Sequence, residues 1–257
     1  MYEIGSRLLR LPSDTRACLS FFTRLPVAPS ENLDLRIGSA AFPLVGLIVG
    51  ALAAVALWLG SAAALSPLVS AAFAVATLVG LCGGLHEDGL ADTADGLGGR
   101  TLEARLAIMR DSRIGTFGVL ALSLTLLIRV ASLAHLATQP GLASGAVVAT
   151  ASISRVLAMW HWSSLPPARY VGLARQAGSP DRLALAIATF LGGVVLTAAL
   201  LVFGRAAALG FALAIGGVWL LSRLCRAAIR GHTGDTIGAA QQVAETLLLA
   251  GFSSAVI

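Results

Sequence analysis

The feature that most constrains this chain is the recurrence of apolar runs of about 20 residues, each long enough to cross a bilayer as a helix. They fall at Ala40–Leu59, Pro67–Leu85, Gly115–Ala137, Gly141–Ser163, Leu183–Phe203, Ala206–Cys225 and Ile237–Ile257. Backbone polar groups in lipid must be satisfied within the segment, so such runs become helices. The expected fold is all-α: a polytopic transmembrane helix bundle of about six to seven spans, forming one integral membrane domain over residues 1–257. The last run is the weakest, because Gln241, Gln242 and Glu245 occupy its first turns. Composition agrees with lipid as the main solvent. Only 12% of residues are charged and 57% are hydrophobic, where a soluble domain carries roughly 25% charged residues.

All 18 basic residues are Arg, and 15 of them fall on one side of the expected bundle. They are Arg7, Arg10, Arg16, Arg24 and Arg36 before the first run, and Arg100, Arg105, Arg110 and Arg113 after the second. Arg169, Arg175 and Arg182 follow the fourth, and Arg223, Arg226 and Arg230 precede the last. The opposite loops hold only Arg205. By the positive-inside rule the N-terminus is expected in the cytoplasm, with residues 1–38 a cytoplasmic or interfacial segment. That segment has no apolar stretch long enough for a signal-peptide core, so no cleavage is expected. A net charge of +5 would suit nucleic acid, but these arginines stand where orientation signals belong, so no nucleic-acid partner is expected. Cys18, Cys82 and Cys225 are too scattered for a metal or disulfide framework and read as packing residues. Residues Asp14–Phe22 suit either a short interfacial helix, with Ala17, Cys18, Phe21 and Phe22 on one side, or an irregular leader. Gly46 and Gly50 form a G-x-x-x-G pair that allows close helix packing.

The chemistry concentrates in residues 86–114, a cytoplasmic acidic loop by the same topology. It holds six of the 13 acidic residues: Glu87, Asp88, Asp92, Asp95, Glu103 and Asp111. Asp88, Asp92 and Asp95 stand at i, i+4 and i+7, which share one face of a helix. Three carboxylates on one face repel and need a counter-charge. Oxygen-only ligands select a hard cation such as Mg²⁺ over zinc, and Mg²⁺ held by a few carboxylates plus substrate phosphates serves phosphoryl transfer. A merely solvated acidic loop is the plainer alternative. The interleaved Gly, Ala and Leu at a membrane edge argue against it.

Other candidates gather around this loop. Arg100, Arg105, Arg110 and Arg113 could clamp phosphate oxygens, or serve topology alone, with Arg110 and Arg113 favoured because they flank Asp111. Asp111 and Asp235 are candidate bases; Asp235, in Gly234-Asp235-Thr236-Ile237-Gly238, could equally be a helix N-cap. His86 and His232 adjoin these motifs and could move protons, whereas His135 and His161 read as residues of the span ends. Arg129 and Arg155 fall inside spans, where a charge tends to face a cavity or a helix carbonyl. Arg155 is the one placed to reach a substrate pocket.

Four stretches together resemble the cobalamin synthase (adenosylcobinamide-GDP ribazoletransferase) family. They are Phe21-Phe22-Thr23-Arg24-Leu25-Pro26-Val27, Phe42-Pro43-Leu44-Val45-Gly46, the run His86–Gly96 with Met109–Gly115, and Thr233-Gly234-Asp235-Thr236-Ile237-Gly238-Ala239. Their order and spacing cover essentially the whole chain. The resemblance implies a Mg²⁺-dependent integral membrane transferase at the end of vitamin B12 assembly, expected in the bacterial inner membrane, and the Arg distribution puts its active site on the cytoplasmic face. It would join α-ribazole or its 5′-phosphate to adenosylcobinamide-GDP and release GMP. Its partners would be those substrates and the lipid bilayer, with a homo-oligomer left open. Asp92-x-x-Asp95-Gly96, with Gly99-Arg100, is also similar to the opening of the CDP-alcohol phosphotransferase signature. The later aspartate pair of that signature is absent, since only Asp111 follows. Two rivals therefore stand beside the main expectation: a phospholipid-type CDP-alcohol enzyme, and an ion or metabolite transporter. The transporter would place carboxylates near the bilayer midplane and repeat its chain halves, neither of which the sequence suggests.

Overall fold

A computed structural model describes residues 2–29, 34–169 and 177–256, so Arg175 lies outside the described residues. The chain runs through α1 (Tyr2–Phe22), α2 (Leu35–Gly38), a 3₁₀ turn (Ser39–Ala41) and α3 (Phe42–Ala62). It continues through α4 (Pro67–Leu81), α5 (Leu85–Leu97), α6 (Leu102–Ile108), α7 (Thr116–Leu136) and α8 (Pro140–Ser164). Helices α9 (Arg182–Phe203), α10 (Arg205–Ile229) and α11 (Gly234–Phe252) complete it. No strand occurs among the described residues; a single isolated bridge joins Pro167 and His232. Helix starts follow familiar chemistry. Ser66 caps the backbone of Val69 ahead of Pro67, and Thr101 caps Ala104.

Five helical segments among the described residues are long and apolar enough to cross a membrane: Leu35–Ala62, α7, α8, α9 and α10. Helices α4 and α5 pass that test only together, and they are bent by 86°, so the count is five or six. The upper count meets the lower end of the expected six to seven, and a seventh span is not reached, for two reasons. The second run breaks at Gly83 and Gly84, whose φ angles of +61° and +69° lie in the left-handed region open to glycine. The chain there turns off the line of α4, and the supposed acidic loop becomes the helices α5 and α6. The seventh run does form a helix, α11, but its polar residues keep it out of the spanning set. Gln241, Gln242 and Glu245 are each 2% exposed, because α11 is the core against which α5, α7, α8 and α10 pack. The N-terminal helix is also longer than the sequence suggests. Its Ala17 and Cys18 are buried as expected, while Phe21 stays exposed.

Close approach between helices rests on small residues. A Cβ at Gly46 would overlap the Ala151 carbonyl, and one at Gly50 would lie 2.8 Å from the Val148 Cα, so the G-x-x-x-G pair is where α3 meets α8. The polar core has a different logic. Arg129 of α7, 1% exposed, donates to Glu87 of α5 at 3.1 Å, to Gln242 at 2.8 Å and to Glu245 at 2.6 Å. Gln241 links Glu245 to Ser154 of α8, and Gln242 returns to Glu87. The guanidinium thereby ties three helices together, and Gln241 adds α8 as a fourth.

Removing one member of a buried charge cluster strands the others, which costs about 3–5 kcal/mol. Arg129→Leu should lower unfolding stability in detergent by about that amount. An Arg129→Leu protein that melts with the wild type would refute this role.

Candidate active site

The acidic helix is held in place by two backbone contacts. A Cβ on Gly89 would sit 2.7 Å from the Asp235 carbonyl oxygen, and one on Gly238 would sit 3.3 Å from the His86 Cα. Glycine at both positions lets α5 cross the first turns of α11 almost backbone to backbone. This brings Asp88, exposed, and Asp92, half-buried, beside Asp235. Asp88, Asp235 and Asp95 all act on Asp92 through their charge, opposed by Arg169.

Asp235 is not the N-cap of α11. Thr233 holds that position in a capping box with Thr236. Asp235 instead accepts a hydrogen bond from the Thr233 hydroxyl at 3.0 Å and pairs with Arg169 at 3.5 Å. Burial raises its pKa and the Asp88 charge adds to this, while Arg169 and the Thr233 hydroxyl pull the other way. Burial likewise lowers the Arg169 pKa, with Arg110 close enough to contribute like-charge repulsion.

Two cavities meet at Asp88. One, of about 620 Å³, is polar and lined by Arg24, Gly83, Gly84, Asp88, Asp92 and Ser112. The other, of about 260 Å³, has walls of Phe22, Phe42, His86 and Trp162, with Asp88, Asp235 and Arg155 among its lining residues. Phe22 stacks on His86 and Phe42 on Trp162, with ring centroids 6.2 and 6.3 Å apart. Arg155 donates to the Ala151 carbonyl at 2.7 Å and also lines this chamber.

The remaining candidates divide. Asp95 lies one turn beyond Asp92, but its carboxylate accepts the amides of Gly115 at 2.7 Å and Gly118 at 2.9 Å, at the start of α7. It holds a helix N-terminus. Asp111 is gripped by Arg113, which donates at 2.6 Å and holds the carboxyl down at about 2; the pair sits in an exposed turn outside both cavities. Arg100 and Arg110 are exposed and line neither cavity. His232 is buried, with neither ring nitrogen hydrogen-bonded, and burial pushes its pKa down to about 4. His161 is no interface residue: it is buried, 2.8 Å from the Ser222 hydroxyl and 3.1 Å from that of Thr236. Among the described residues no three acidic, histidine or cysteine side chains form a ready-made metal cage.

Sequence reasoning used Arg24 and Arg169 only as topology markers, yet these are the guanidiniums at the acidic cluster. The signal for Arg24 was its place in Phe21-Phe22-Thr23-Arg24-Leu25-Pro26, whose aromatics also line the chamber. Arg169 carries no comparable local mark. The partners of Arg129, Glu87 and Glu245, were likewise not foreseen.

Comparison with known proteins shows the family. The family model described as cobalamin-5-phosphate synthase matches residues 14–253. A Rhizobium etli (strain CIAT 652) protein named adenosylcobinamide-GDP ribazoletransferase is 42% identical over 253 residues, covering 94% of this chain and 96% of its own. A Bradyrhizobium diazoefficiens protein of the same name is 44% identical over 241 residues, covering 92% of each chain. A third, from Brucella ovis, is 40% identical over 250 residues, covering 94% of this chain and 96% of its own. No solved structure matches. With a family model spanning all the motifs that build the site, the chain belongs to the cobalamin-5-phosphate synthase family.

Proposed function

We propose that the chain transfers the cobinamide phosphate of adenosylcobinamide-GDP to α-ribazole or its 5′-phosphate, releasing GMP, in the last steps of cobalamin biosynthesis. The observation that carries this is Asp88, standing where a polar cleft and an aromatic-walled chamber meet, with Asp92 and Asp235 beside it. A two-substrate transfer needs two such spaces opening on one set of charged groups. The family and the names of its relatives supply the substrates.

In the reaction, a ribose hydroxyl oxygen of the ribazole attacks the phosphorus on the cobinamide side of the diphosphate. The bond from that phosphorus to the bridging oxygen breaks, and GMP leaves with the electron pair. The hydroxyl proton goes to a carboxylate. Asp235 suits this better than Asp111, because a raised pKa gives a stronger base, while Arg113 holds Asp111 as a weak one. Arg24 and Arg169 are placed for the phosphate oxygens, with Arg110 near Arg169 and with Arg100 and Arg113 further out. His86 forms the chamber wall, and Arg155 offers a charge inside it.

Mg²⁺ is the cofactor we propose. The donor chemistry fits, since Asp88 and Asp92 are hard oxygen ligands one helical turn apart. Mg²⁺ can be held by one or two carboxylates, with water and substrate phosphate completing its shell. Asp235 is the further carboxylate within reach, and Asp95 can share one oxygen beyond its amide bonds. Bound there, the ion would neutralise charge on the diphosphate. The Arg distribution supports a site facing the cytoplasm from the inner membrane.

Purified protein in lipid should release GMP from adenosylcobinamide-GDP plus α-ribazole with Mg²⁺ and stop when the metal is chelated. Turnover of CDP-alcohols in place of cobinamide-GDP would overturn the assignment. Asp88→Asn and Asp92→Asn should each lower turnover about 100-fold or more while the protein still folds; near-normal rates would remove them from the site. Asp95→Asn separates capping from ligation. Loss of the cap should lower stability by about 1 kcal/mol with little change in the Mg²⁺ needed for half-maximal rate. A large rise in that Mg²⁺ requirement would make Asp95 a ligand.

A further inference from the structure

A cavity of about 730 Å³ lies away from the acidic site, in a groove between α8, α9 and α10. Its origin is the α9–α10 hairpin. The hairpin turns at Gly204, after which α9 packs chiefly on α8 and α10 chiefly on α11, so the two arms part. Gly193 widens the gap, since a Cβ there would meet nothing within 4 Å. Leu196, Phe211, Ile215 and Val218 give an apolar wall. The other end is charged and aromatic. Arg223 and Arg226 stand there, exposed, with Trp160 and Trp219. The Arg223 guanidinium lies 5.8 Å from the Trp219 ring centroid, and Arg226 donates to the Ser164 carbonyl at 2.9 Å. Among the described residues neither arginine has an acidic partner.

This polarity is that of a lipid. From Phe211 to Arg226 the helix advances about 22 Å, more than half of the ~30 Å hydrocarbon core and enough for one leaflet. Tryptophan belongs at the headgroup level. Two guanidiniums without carboxylates at that level match a phosphate, which arginine holds in bidentate fashion. We propose that the groove holds an anionic phospholipid of the surrounding bilayer. Its phosphate sits between Arg223 and Arg226, and one acyl chain runs along Gly193, Leu196 and Phe211. The inference does not depend on the transferase reaction.

Native mass spectrometry of the detergent-purified full chain tests it, with phosphatidylglycerol and phosphatidylcholine of identical acyl chains. Wild-type protein should retain phosphatidylglycerol about tenfold more strongly than phosphatidylcholine, a preference expected of arginine–phosphate recognition that needs net lipid charge. Arg223→Gln with Arg226→Gln, both on the exposed surface, should bring the two lipids level. Gly193→Phe should weaken retention of both by filling the groove, while GMP release stays as in wild type. Equal retention by the wild type, or an unchanged preference in the double variant, would overturn the proposal. So would self-cross-linking of Gly193→Cys in membranes, which would give the groove to a second copy of the chain.

Discussion

A guanidinium buried among apolar helices has to find carboxylates, and Arg129 finds two, on different helices. The rest of the architecture is arranged around that need. Glu87 belongs to α5, so satisfying Arg129 pins the acidic helix to α7. Glu245 belongs to α11, so the same contact pins α7 to the central helix. Glutamine amides take up further carboxylate oxygens, and Gln241 also donates to the Ser154 hydroxyl, which brings in α8. Because Glu87 immediately precedes Asp88, the cluster also sets the angular position of the face that carries Asp88 and Asp92. A residue buried for charge balance and a residue exposed for chemistry are neighbours on one turn.

Much of the fold was legible in the sequence because lipid imposes a simple rule. Long apolar runs must be helical, and most runs became helices close to their expected limits. The rule failed where polarity and backbone freedom intervened. Gly83 and Gly84 look like two more small residues in an apolar stretch, and nothing local announces that both turn left-handed. Gln241, Gln242 and Glu245 weakened the last run on any hydropathy scale. Their burial makes sense only with Arg129, more than a hundred residues away, as the partner of Gln242 and Glu245, and with Gln241 bonded in turn to Glu245.

The site was readable in part for a related reason. The i, i+4 spacing of Asp88 and Asp92 is local, and the helix preserves it. Asp95 shares the spacing but not the surroundings, since the amides of Gly115 and Gly118 reach it from the next helix. Asp111 and Arg113 are close in sequence and satisfy each other, which takes them out of the cluster. The groups that complete the cluster, Asp235, Arg169 and Arg24, come from distant segments. Only the tertiary contacts at Gly89 and Gly238 bring Asp235 in.

The 86° turn between α4 and α5 decides what water can touch. Helix α4 packs alongside the spanning helices α3 and α7, and a helix so aligned shows solvent little more than its last turn. Helix α5 is turned broadside. Its 13 residues present a ledge about 20 Å long, with one flank against the core and the other free. The carboxylates of α5 are thereby carried across the direction of α4 instead of along it, and the bend at two glycines sets where they lie.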